Sequence, residues 1–182
     1  MTAWELTGTV FKISAVLAIF FIVVRREKRS VKSIGWRSPR LKDVVLGVAA
    51  FLAVQELSRV TWSLALIVMP KAVADMRAGA ALYASLPLSL NVLGAISNGA
   101  AEEVGYRGYA LERLSEITGS TWLGAGIPYF VEVLCHAPIW GFHGMLLQAP
   151  PLLIFVLLYL WQRSLPACIL GHLLCDVIPI FR

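Results

Sequence analysis

Two long apolar runs constrain this chain more than any other feature. Residues 8–24, GTVFKISAVLAIFFIVV, and residues 44–69, VVLGVAAFLAVQELSRVTWSLALIVM, carry few charges between them. A helix needs about 20 mostly apolar residues to cross a bilayer, and both runs approach or exceed that length. The whole composition agrees: 58% of the 182 residues are hydrophobic, above the 45–50% usual for soluble domains. The chain is therefore expected to be an all-α, polytopic membrane bundle forming one domain over residues 1–182. Further spans are expected at 91–113, 119–135, 151–162 and 166–180, each interrupted by polar groups or prolines, making about six transmembrane helices in all. Residues 71–87 are mixed in character and read as an interfacial or loop segment. Glu56 and Arg59 interrupt the second run and are tolerable only if they face protein.

Charge sets the orientation. Between residues 25 and 43 lie eight of the sixteen Lys and Arg. By the positive-inside rule this loop is cytoplasmic and the N-terminus outside. A basic run of this density could meet nucleic acid, but between two spans it meets anionic headgroups instead, so the bilayer is the expected partner and no nucleic acid is. The first run has Glu5 before it, no basic n-region and no small-residue cleavage site ahead of RREKR, which reads as a retained anchor. Cys135, Cys168 and Cys175 are odd in number, form no CxxC pair and sit in apolar runs; buried free thiols are expected.

Against this background the stretch SNGAAEEVGYRGYALERL, residues 97–114, stands out. A charged residue at a helix centre costs about 2.5–3.5 kcal/mol on insertion scales. Glu102, Glu103 and Arg107 facing lipid would thus cost roughly 8–10 kcal/mol together. They must face protein, water or each other. Glu103 and Arg107 stand at i and i+4 with the acid first, the favourable order for an ion pair. Glu102 is turned about 100° away and is left as the unpaired carboxylate, a site candidate by virtue of its setting. Gly99, Gly105 and Gly108 leave the helix bare, so neighbours can close around the acids.

Two other places bring polar groups to depth. In PACILGHLLCDVIP, His172 and Asp176 are one turn apart and share a helix face. In YFVEVLCHAPIW, Glu132 and His136 repeat that spacing just before Pro138, which ends or bends the helix. If Glu132 pairs with His136, the imidazole gains a local countercharge. His143, in GFHGM, has no such partner and reads as structural or as a loop residue near the membrane surface.

EEVGYR, a histidine at the end of the next helix, and HLLCD together resemble the three motifs of the CAAX prenyl endopeptidase and bacteriocin-processing family, known as CPBP or Abi. Its members are similar to the Ras-converting intramembrane endopeptidases and carry EExxxR, FxxxH and HxxxN/D. The resemblance covers residues 97–179. Its first and third motifs are complete; in the second, Glu132 replaces Phe four residues before His136, with Phe130 nearby. The resemblance implies helices around a polar intramembrane cavity and hydrolysis of a peptide bond near the C-terminus or anchor of a membrane-associated protein or peptide. That substrate is either prenylated or, in a bacterial plasma membrane, a bacteriocin leader, lipidated peptide or sorting tail. It implies metal-independent chemistry by Glu102, Glu103, Arg107, His136, His172 and Asp176, without a cofactor, and HExxH is indeed absent.

In this reading Glu102 and His136 activate water, His172 meets the oxyanion with Asp176 orienting it, and Glu103 and Arg107 hold the glutamate helix. Two alternatives stand beside it. One is a membrane immunity or adaptor protein that binds peptide without cutting it. The other is a zinc hydrolase using His136, His172 and Glu102 with Cys175 nearby.

Overall fold

The computed structural model describes residues 2–181, and no β-strand occurs among the described residues. Among these residues eight α-helices follow one another: α1 (Thr2–Phe21), α2 (Leu41–Val68), α3 (Pro70–Ala84), α4 (Leu88–Glu102), α5 (Leu111–Thr118), α6 (Thr121–Cys135), α7 (Ala137–Gln162) and α8 (Leu165–Val177). A π-helical turn, Ile22–Arg26, prolongs α1, and a second π-helical stretch, Glu103–Ala110, joins α4 to α5 without a break. Capping chemistry sets several boundaries. The Ser120 and Ser164 side chains accept from Leu123 N and Ala167 N at the starts of α6 and α8, the arrangement that satisfies free N–H groups in a first turn. Gly119, with φ 67°, closes α5 in the left-handed conformation, where glycine carries no Cβ penalty.

The solvent of this bundle is read from what it exposes. Trp4, Phe11 and Leu17 of α1, Leu52 and Ile67 of α2, and Leu157 and Trp161 of α7 all point outward. Meanwhile Arg107 heads the fully buried side chains by volume, and Glu103 and Glu132 are wholly enclosed. Apolar outside and charged inside is the arrangement of a helix bundle in lipid. The chain is an integral membrane protein.

Among the described residues three helical segments are long and apolar enough to cross a bilayer: Ala3–Arg26, Leu41–Val68 and Ala137–Gln162. A fourth crossing exists if Pro70–Ala84 and Leu88–Thr118, bent by 119°, are taken as one broken span. The helices expected at 119–135 and 166–180 are present but short, as Thr121–Cys135 and Leu165–Phe181. The segment expected at 151–162 is the second half of the longer α7, whose chain bends at Gly141 (φ 73°). The Asp75 side chain fills the space that a Cβ on Gly141 would need. Residues 71–87, expected as a loop or interfacial segment, are largely α3, which packs on α7.

Glu56 and Arg59 correct another expectation. They do not face protein but lie 66% and 74% exposed on α2, hydrogen-bonded to each other. Their i, i+3 spacing lets the pair offset its own charge locally. Of the three thiols only Cys168 is buried; Cys175 is partly so, and Cys135 is exposed where α6 ends.

Helix crossings are tightest where side chains are smallest. A Cβ on Gly47 of α2 would lie 2.9 Å from the Ala167 carbonyl of α8, and one on Gly171 would lie 2.9 Å from the Gly47 carbonyl. Close approach through small residues is how membrane helices gain packing without a hydrophobic drive. This crossing carries α8, and with it His172, into the centre of the bundle.

Candidate functional site

The site grows from the junction of α4 and the π-helical stretch. Gly99 presents no side chain toward α8; a Cβ there would sit 3.4 Å from Leu173 and 3.6 Å from His172 Cγ. The helix then widens over Glu103–Ala110, a distortion often found at functional sites. At this junction two adjacent acids reach one imidazole. His172 Nδ1 donates to Glu103 Oε1 at 2.8 Å. Its Nε2 lies 3.7 Å from Glu102 Oε2 and 3.7 Å from Asp176 Oδ2.

The ring is held by more than acids. Phe155 of α7 stacks on it, with centroids 5.1 Å apart and planes 8° from parallel. Arg107 stands over the same phenyl ring, 6.0 Å from its centroid. Its guanidinium is 3.4 Å from Glu103 Oε1, hydrogen-bonds Glu132 of α6, and donates to the Leu152 carbonyl at 3.1 Å. Arg107 thereby ties the π-helical stretch to α6 and α7 at once.

Exposure divides the cluster. Glu103, Arg107, Glu132 and His172 are buried, whereas the Glu102 and Asp176 side chains are 18% and 28% exposed. Asp176 also meets the Asn98 side chain. Glu102 Oε2 is buried without a hydrogen-bond partner, as are Glu103 Oε2, Arg107 Nε and Glu132 Oε2, but of these side chains only that of Glu102 is partly exposed. A buried polar atom left in that state asks for an explanation, and a site that receives water or substrate provides one.

Glu102, Glu103, Arg107, His172 and Asp176 are thus gathered in one place. His136 stands at the break between α6 and α7, where its Nδ1 donates to the Glu132 carbonyl at 2.8 Å. The pairing that the i, i+4 spacing allows between the Glu132 carboxylate and His136 does not form. The Glu132 carboxylate turns to Arg107, and only its backbone serves His136. The buried guanidinium explains that choice, since a charge removed from water takes the nearest full countercharge. His143 has a neighbour after all, with Nδ1 3.3 Å from Asp75 Oδ2 of α3. Among the described residues no group of three or more His, Cys, Asp and Glu side chains is spaced to hold a metal ion.

Sequence reasoning passed over Phe155 and Asn98. Phe155 lies in the run LLIFVLLYLW, where an aromatic has no mark of function; Asn98 was visible as a polar residue inside an apolar helix.

No curated protein and no solved structure matches the chain. A family model described as type II CAAX prenyl endopeptidase Rce1-like does match, over residues 84–178. That stretch runs from the end of α3 to just beyond α8 and contains every acid, imidazole and guanidinium of the cluster. With more than half of its length under one model, and that half the one which assembles these groups, the chain belongs to the Rce1-like family of type II CAAX prenyl endopeptidases.

Proposed function

We propose that the chain is an intramembrane endopeptidase that hydrolyses a peptide bond near the C-terminus or anchor of a membrane-associated, prenylated or otherwise lipidated, protein or peptide. The carrying observation is the unpartnered Glu102 Oε2 set 3.7 Å from His172 Nε2. Hydrogen bonds of about 2.8 Å allow one water to touch both atoms. Glu102 takes a proton from that water, and the resulting hydroxide adds to the substrate carbonyl. In its imidazolium form His172 donates from both ring nitrogens: Nδ1 to Glu103, Nε2 to the oxygen that becomes negative. The proton held on Glu102 then passes to the leaving amine as the C–N bond breaks.

His136 is assigned to assist Glu102 in activating that water. With Nδ1–H committed to the Glu132 carbonyl, its Nε2 is left as an acceptor able to share the proton of the water. Asp176 faces the donor nitrogen of His172 and fixes the ring, while Arg107 keeps Glu103 in register. No step is routed through a metal. The same reading sets loop 25–43 on the cytoplasmic face of a bacterial plasma membrane.

The test compares C-terminal peptides of the membrane proteome, and of a farnesylated CAAX reporter, in cells carrying wild type or Glu102→Gln at equal membrane levels. Termini trimmed only by the wild type support the proposal. Identical termini would leave a protein that binds peptide without cutting it.

A further inference from the structure

The loop between α1 and α2 is built into the bundle rather than draped over it. Ile34 is fully buried, and the Gly35 carbonyl accepts from Leu165 N at 3.1 Å. Gly35 has φ 73°, and a Cβ there would meet the Tyr159 hydroxyl at 2.6 Å. This clamp fixes the basic residues around it in space.

Two cavities adjoin at this loop, sharing Trp36 and Arg37 as their common wall. The smaller, of about 180 Å³, is ringed by Lys32, Arg37, Arg40 and Arg163. The larger, of about 500 Å³, runs between α2 and α8 past Val44, Ile169, Leu170 and Leu173. Its size falls within the range of sites for small organic ligands.

The charge of the smaller cavity is only partly offset. Buried Asp43 accepts from both terminal nitrogens of Arg37, at 2.7 and 2.6 Å, from the Arg40 backbone N and from Ser164 Oγ. Its acceptor capacity is thereby used on the frame. Arg163 donates to Glu112 Oε2 at 2.8 Å. Lys32 and Arg40 have no acidic partner among the described residues, so the basket keeps an excess of two positive charges. Its place, at the starts of α2 and α8 and the end of α7, is where helices that cross a bilayer leave its hydrocarbon and meet the headgroups. The apolar cleft follows α8 inward as far as Leu173, eight residues beyond Leu165, or about 12 Å of helix rise.

We infer that this paired cavity binds an anionic diacyl phospholipid, its phosphate among Lys32, Arg37, Arg40 and Arg163 and one acyl chain in the cleft between α2 and α8. A free phosphate would use only the basket, and a neutral lipid only the cleft. The shared Trp36–Arg37 wall favours a ligand with both parts, and each cation near a membrane surface adds attraction for anionic lipid.

The experiment uses full-length protein in phosphatidylcholine nanodiscs containing graded phosphatidylglycerol, with retained lipids counted by native mass spectrometry. The wild type is expected to retain one phosphatidylglycerol in preference to phosphatidylcholine. Joint Lys32→Ala and Arg40→Ala substitution removes two uncommitted cations and should weaken retention roughly thirtyfold. Ile169→Trp, which fills the cleft, should weaken it as well. The melting temperature in phosphatidylcholine alone should be unchanged for the double variant, which separates lipid binding from folding. Equal retention of both lipids, undiminished retention by the double variant, competition by glycerol phosphate as effective as by lipid, or displacement by a farnesylated peptide would each overturn the inference.

Discussion

Arg107 in the π-helical stretch hydrogen-bonds Glu132 of α6, a residue twenty-five positions away, although Glu103 lies only one turn before it. Both partners are enclosed, and Glu103 is shared with His172. Removing the carboxylate by Glu132→Ala strands a buried guanidinium and is expected to cost about 3–5 kcal/mol. Glu132→Gln keeps an acceptor and should cost about 1–3 kcal/mol. Thermal unfolding in detergent measures both. Because the carboxylate does not touch His136, the pH profile of cleavage by Glu132→Gln should keep its acid limb; a displaced limb would return Glu132 to the histidine.

Phe155 supports a second prediction, one that separates positioning from packing. Its ring lies flat against His172 and under Arg107. Phe155→Leu retains most of the apolar volume and should cost under about 1.5 kcal/mol of stability. It frees the imidazole to tilt, however, and small misplacements of reacting groups cost rates heavily. We expect kcat to fall about ten- to hundredfold with KM little changed. A variant that loses stability while keeping kcat would make Phe155 a packing residue only.

How much of this was legible beforehand differs by kind of interaction. Two of three local pairs were: the spacing of Glu103 and Arg107 and that of His172 and Asp176 each led to groups that do meet, at 3.4 and 3.7 Å, whereas Glu132 and His136, at the same spacing, do not pair through their side chains because Arg107 takes the carboxylate. Partners distant in the chain were not, because nothing along a sequence says which helix a buried group will face. Arg107 with Glu132 and Asp43 with Ser164 are of this sort. The widening at Glu103–Ala110 was also hidden, since apolar periodicity over eight residues does not distinguish a π-helix from an α-helix. The two adjacent acids meet one imidazole from different sides, Glu103 at Nδ1 and Glu102 near Nε2. The extent of α7 was obscured by Pro150 and Pro151, which read as a boundary but lie within the helical run that follows the bend at Gly141.

The glycines supply a third prediction with an internal control. A Cβ on Gly171 would press on the Gly47 carbonyl at 2.9 Å and on Phe155 Cε1 at 3.0 Å. Gly171→Ala should therefore push α8 from α2 and cost about 1–3 kcal/mol, with cleavage reduced as His172 shifts. A Cβ on Gly105 meets nothing within 4 Å, so Gly105→Ala should leave the melting temperature nearly unchanged. Equal effects from the two would mean that backbone freedom, and not the crossing of α2 and α8, governs both positions.

At the basic face, Glu27 binds α5 and so links the α1–α2 loop to the helix that follows the site. Its carboxylate accepts from Arg113 Nε at 3.0 Å and from the Tyr109 hydroxyl at 3.1 Å. The hydrogen bond from Arg113 is the main reason why the Glu27 carboxyl is held below its ordinary value of 4.5. A carboxyl lowered in the folded state stabilises it above the unfolded value, and that contribution disappears as pH falls through the folded one. The melting temperature of wild type should therefore exceed that of Glu27→Gln at pH 7, by an amount corresponding to about 1 kcal/mol or less for a partly exposed pair. The gap should narrow progressively below pH 4.5, and it should narrow at pH 7 when salt is raised. A gap of constant size from pH 7 down to strong acid would show that Glu27 acts through packing and not through its charge.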